Sequence, residues 1–204
     1  MADRTITIDT APIERLAREL KGFEKEVAEA TRLALNRTVD YTLTQAARHV
    51  SQAYAIKQKE VKDSFSVAKP SKTDLAAKLT SWGHTLSFAH FPFTPKTAKR
   101  SRRSVFDTMV TVIIKKPKGK IISKKGFVAS TGAKDKEKVQ FNVFKRLGKE
   151  RLPIAPIRTL SIPQMITNEQ VAGKIQAAAQ AKMEERLEHE IIRIMTGMQK
   201  NIKG

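Results

Sequence analysis

The chain has 204 residues, about one domain's length, and 40% hydrophobic residues give enough apolar mass for a core. It carries 39 Lys plus Arg against 20 Asp plus Glu, a formal charge of +19, and that excess suits a negatively charged partner. There is no cysteine, which excludes disulfides, thiolate zinc sites and a cysteine nucleophile.

From the N-terminus, residues 5–9 alternate and β-branch like a short strand. Thr10 is placed to cap a helix with Pro12 in its first turn. Ile13, Leu16, Leu20, Phe23, Val27, Ala30 and Ala34 then recur at helical spacing, and the stripe continues through Leu35, Val39, Leu43, Ala46 and Val50. This predicts helix to about Tyr54, either continuous or divided at Gly22. A short helix is expected over residues 57–65, presenting Val61 and Phe65.

Beyond Phe65 the composition changes. Eight of the nine Phe and the single Trp fall between Phe65 and Phe144, interrupted by Pro70, Pro92, Pro95 and Pro117. Strands are expected at residues 76–81, 86–91, 105–115, 126–130 and 139–146. The segment 105–115 is apolar on both faces and is the expected central strand. Residues 151–165 contain Pro153, Pro156 and Pro163, which predicts extended, irregular chain. Asn168 then caps a last helix striped by Val171, Ile175, Ala179, Met183, Leu187, Ile191, Met195, Met198 and Ile202. The expected fold is a single α+β domain over residues 1–204, a central antiparallel β-sheet with long N-terminal and C-terminal α-helices. Its parts are a helical segment to residue 65, a basic β-rich segment 66–166 with a variable loop 95–125, and a final helix 167–204. A last helix of about 30 residues would run roughly 45 Å, against a radius of gyration near 17 Å for a chain this long. An oligomer with terminal helices packed between copies is therefore expected.

The charge is localised. Residues 1–65 hold 11 basic and 10 acidic side chains, and residues 167–204 hold 6 and 5. Residues 66–166 hold 22 and 5, a net of +17. Lys96, Lys99, Arg100, Arg102 and Arg103 form one acid-free cluster, and Lys115, Lys116, Lys118 and Lys120 open a second. Such a surface suits DNA phosphates, an acidic protein ring, or the wall of a channel that DNA crosses.

Catalytic and cofactor signatures are missing. Neither G-x-x-x-x-G-K nor G-x-G-x-x-G nor G-x-S-x-G occurs. His49, His84, His90 and His189 are scattered, with only His84 and His90 close enough to meet in a hairpin. The five acids of the basic segment form no D-x-D or E-x-x-E pair of the kind a two-metal nuclease needs. No catalytic residue, cofactor or metal site is expected. Nor is a membrane span, since the longest strongly apolar run covers only residues 109–114 where about 20 are needed. The opening Met1-Ala2-Asp3-Arg4-Thr5 lacks a signal peptide's apolar stretch, so an intracellularly made soluble protein is expected.

One stretch is more specific. Gly126-Phe127-Val128 is followed by a polar turn, then Val139-Gln140-Phe141-Asn142-Val143-Phe144-Lys145-Arg146, Gly148-Lys149, Arg151-Leu152-Pro153-Ile154 and Ser161-Ile162-Pro163-Gln164-Met165. Upstream stand Ala34-Leu35-Asn36-Arg37-Thr38 and the short helix 57–65. This progression resembles the minor tail protein Z family, tail-completion proteins of tailed phages. The resemblance covers most of residues 27–200 and departs most at 95–125. It implies a structural virion protein at the head-proximal end of the tail, forming a closed ring, sixfold in the family's manner, around the DNA path. It also implies neighbouring tail-terminator and head-closure proteins as partners, with Arg146, Lys149, Arg151 and Pro153 at the ring or partner contact. The two lysine and arginine clusters would face DNA or acidic neighbours. A basic nucleic-acid-binding module outside any virion is the alternative. From the residues themselves, Phe127 and Phe141 are expected to face each other across a hairpin, and residues 152–157 to add to a sheet edge.

Overall fold

A computed structural model describes residues 4–5, 24–98, 109–132 and 140–202. The expected Thr10 cap, the stripe from Ile13 to Phe23, the Gly22 break and the cations Lys99, Arg100, Arg102 and Arg103 lie outside these residues.

Two long helices dominate. Helix α1 spans Glu24–Ala53, 30 residues, or about 45 Å at the α-helical rise. Val27, Ala30, Ala34, Val39, Ala46 and Val50 form its buried stripe, as the periodicity predicts. The stripe also includes Thr31, Thr38 and Thr42. Thr42 Oγ1 donates to the Thr38 carbonyl at 2.7 Å within the helix, Thr38 Oγ1 reaches across to Met183 Sδ at 3.7 Å, and the buried Thr31 Oγ1 has no hydrogen-bond partner among the described residues.

A short helix α2, Gln58–Asp63, buries Val61. Strands follow at β1 (Arg4–Thr5, ahead of α1), β2 (Phe65–Ala68), β3 (Lys78–Ser81), β4 (Phe93–Thr94), β5 (Val110–Ile113), β6 (Lys120–Ser123), β7 (Gly126–Ser130), β8 (Phe141–Arg146) and β9 (Ile154–Pro156). A further helix, α3, is Ile162–Ile166, and the last helix, α4, runs Glu169–Ile202 for 34 residues. None of the described helices is long and apolar enough to cross a membrane.

The α+β class is as expected. Instead of one central sheet, the strands form three three-stranded antiparallel sheets, ordered β1-β3-β2, β4-β5-β6 and β7-β8-β9. Within its own sheet β5 is central, as its two-sided apolar character requires. Val110 and Val112 are fully buried and Thr111 and Ile113 partly so.

Two expected elements change character. Residues 86–91 are not a strand but close into a 3-10 turn at Phe88–His90. A turn with three residues per repeat puts Phe88 and Phe91 on the same side, and both enter the core. Residues 151–165 are less irregular than three prolines suggest. Ser161 caps α3 through a full capping box: its Oγ accepts from the Gln164 N–H, and Gln164 Oε1 accepts from the Ser161 N–H. Pro163 sits in the first helical turn, where its missing N–H costs nothing.

The main core gathers the end of α1 (Ala46, Ala47, Val50, then Tyr54), Val61, the Phe88/Phe91/Phe93 group, Val110 and Val112, Val128 and Val143, α3, and the start of α4. Further out, α1 and α4 pack on each other, with Ala77 against the same cluster. The end of α1 (Ala46, Ala47, Val50) packs with the start of α4 (Val171, Ile175), while Ala34 and Leu35 meet Met183 and Leu187, so the helices run antiparallel; Arg37 also reaches Glu190. Small residues on α1 face larger ones on α4, which lets the helices approach closely. The α1 terminus is tied to the sheets where the Ala55 N–H donates to the Ile114 carbonyl at 2.9 Å.

Candidate partner-contact surface

Strand register decides which basic residues meet. In the β7–β8 pair Gly126 lies opposite Lys145 and Phe127 opposite Phe144; in the β8–β9 pair Arg146 lies opposite Ile154. The β6–β7 turn, Lys124-Lys125, and the β8–β9 turn, residues 147–153, therefore emerge at one end of the β7-β8-β9 sheet.

At that end stand Arg146, Lys149, Arg151 and Pro153, the residues expected at a ring or partner contact, and they do different work. The Arg146 guanidinium donates to the Arg151 carbonyl at 2.8 Å and lies 5.2 Å from the Phe127 ring centroid. The Pro153 carbonyl accepts from the Leu147 N–H at 3.1 Å. These two residues shape the turn. Lys149 and Arg151 are exposed on it.

The sequence reading missed the apolar tips beside them. Leu147 is 61% and Leu152 66% exposed, flanking the cations on both sides of the turn. The available signal was a pair of leucines, Leu147 and Leu152, bracketing the four residues Gly148-Lys149-Glu150-Arg151 between two strands.

The aromatic pairing also differs. Phe127 faces Phe144 with centroids 6.4 Å apart, while Phe141 lies opposite Ser130. Alternation then sends Val128 and Val143 to the buried face, with Phe141 alongside Val143. Residues 152–157 do add to a sheet edge, their own, as β9.

The second basic group is placed elsewhere. Lys116 and Lys118 lie on a 3-10 turn after β5, and Lys120 begins β6 opposite Ile113. The four-residue strand β6 separates them from Lys124-Lys125 by about 13 Å. Lys115 is half-buried, its Nζ 5.7 Å from the Tyr54 ring centroid. Lys96 sits beyond β4, with Nζ 4.7 Å from the Phe93 ring centroid, at the end of its sheet where β5 starts. The cations Lys96 and Lys115 to Lys120 thus do not form one patch. His84 and His90 do not form a pair; His90 Nδ1 lies 2.6 Å from Glu60 Oε2 instead. Among the described residues no cluster of His, Asp or Glu could hold a metal ion.

The turn thus presents exposed Lys149 and Arg151, with Glu150 between them, flanked by exposed Leu147 and Leu152. A family model of prophage minor tail protein Z matches residues 12–199, and the chain belongs to that family. It is a structural protein of a phage tail. No curated protein and no solved structure matches it.

Proposed function

We propose that this tail protein works at the head-proximal end of the tail, completing it and joining it to the head as one subunit of a closed, sixfold ring around the DNA path. The observation that supports this reading best is the β8–β9 turn. Leu147 and Leu152 stand exposed beside Lys149 and Arg151, a mixed apolar and charged tip suited to a protein partner. The partners would be further copies of the chain and neighbouring tail-terminator and head-closure proteins. The basic segment would face those neighbours or the DNA in the lumen. Rigid α1 and α4 would set the spacing between subunits.

Lys149→Glu combined with Arg151→Glu tests the joining role. Neither side chain holds the turn together, so the variant folds. In a phage carrying it, heads and tails should accumulate unjoined by electron microscopy. Normal yields of joined, infectious particles would refute the role. Light scattering tests the ring in the presence of the tail, where assembly is expected. If the chain is instead a free nucleic-acid module, its DNA affinity will fall with log salt at about −0.9 per phosphate contacted.

A further inference from the structure

The geometry points to the outer edge of β6 as a docking site for an extended, acidic segment of another protein, added as a fourth strand beside β6. This inference names a partner chemistry for the contact surface above and rests on the chain being a tail-assembly protein.

Strand β6 pairs only with β5 among the described residues. The next strand follows after two residues, Lys124-Lys125, the spacing of a tight hairpin, yet β7 pairs with β8 instead. The chain turns away at Gly126, where a Cβ would come within 2.6 Å of Ser123 Oγ and 3.0 Å of Val143 Cγ1. A side chain there would crowd Ser123 and the side chains of Val143 and Ile157. The alternate N–H and C=O groups of β6 are consequently left pointing outward.

The side chains on this edge are unusual for a solvated strand. Ile121 is 44% and Ile122 55% exposed. Ile121 lies opposite fully buried Val112, so it extends the core-facing side of the sheet past the point where the core ends. Ile122, opposite Thr111, makes the other face apolar too. An added strand would cover both, giving backbone bonds along its length and apolar contact on each face.

The charge selects the occupant. Lys120, Lys124 and Lys125 flank the two isoleucines, and no acidic residue occurs between Lys115 and Ser130. A carboxylate-bearing strand matches this edge. DNA matches it less well, because phosphates need the lysines but give the isoleucines nothing to pack on, and β6 offers no aromatic ring for a base to stack against.

The test uses the whole protein and a short peptide alternating valine with glutamate and threonine. Amide hydrogen exchange is measured with and without it, alongside three controls: the same peptide N-methylated at alternate residues, an oligoglutamate of equal charge, and duplex DNA. The inference expects added protection confined to residues 120–124, loss of binding on N-methylation, and about tenfold weaker binding to Ile121→Thr. Equal binding by oligoglutamate, protection of the same amides by DNA, or no protection at all would overturn it. Because the readout is amide protection in the isolated protein, it fails or succeeds independently of whether the Lys149 and Arg151 reversal blocks head joining.

Discussion

Arg146 places its guanidinium over the ring of Phe127, 5.2 Å from the centroid, while donating a hydrogen bond to the Arg151 carbonyl at 2.8 Å. One side chain thus clamps the β8–β9 turn to the β7–β8 ladder. Arg146→Ala should lower stability by about 1 kcal/mol through loss of the ring contact and the bond. Arg146→Lys should recover only part of it, since an ammonium lacks the planar fork. Urea unfolding of the two variants checks this; equal stability of wild type and Arg146→Ala would contradict the clamp.

Met183 is fully buried between the helices, against Ala34 and Leu35, with Thr38 Oγ1 at 3.7 Å from its sulfur. Met183→Ala leaves a cavity and strands the Thr38 hydroxyl, and should cost about 2–5 kcal/mol. Met195→Ala, on the same helix but about half exposed, should cost under ~0.5 kcal/mol. Their denaturation midpoints should differ accordingly.

Glu190 is a fully buried carboxylate facing the half-exposed guanidinium groups of Arg37 at 3.4 Å and Arg193 at 2.8 Å. Replacing both arginines with alanine leaves that buried charge with only the exposed His189 imidazole, 3.9 Å away, an expected loss of about 3–5 kcal/mol. Glu190→Leu should be near neutral, because the arginines can return to water. Thermal unfolding of both variants makes the comparison, and a larger loss in Glu190→Leu would reverse the assignment.

Burial pushes the Tyr54 phenol above its ordinary pKa. The folded state favours the neutral form, so this contribution to stability is complete below about pH 10 and is lost as pH rises through the raised value. Tyr41 is the only other tyrosine. In a Tyr41→Phe background the phenolate absorbance should therefore appear late, and Tyr54→Phe should remove part of the alkaline fall in stability. A phenolate forming at the ordinary pKa would disprove the shift.

Ser161→Ala removes one half of the capping box on α3 and frees the Gln164 N–H. A loss of about 1 kcal/mol is expected in urea unfolding. Ser161→Asp, which can still accept that bond, should retain most of the stability.

The sequence by itself determined the α+β class, both long helices, the boundaries of β7, the end of α1 near Tyr54 and the family resemblance. These rest on local rules: a helix stripe repeats every three or four residues and a strand alternates, whatever the rest of the chain does. The capping box at Ser161 was equally local, but three prolines nearby obscured it. What only the tertiary structure decided depends on partners distant in sequence. Whether Phe127 meets Phe141 or Phe144 is a matter of register, a difference of three residues along β8. The separation of the β4-β5-β6 sheet from the β7-β8-β9 sheet lies at Gly126, where the chain leaves β6 and β7 pairs with β8. The same crossing separates the basic groups by the length of β6, and it leaves Ile121, Ile122, Leu147 and Leu152 uncovered because the core ends before it reaches them.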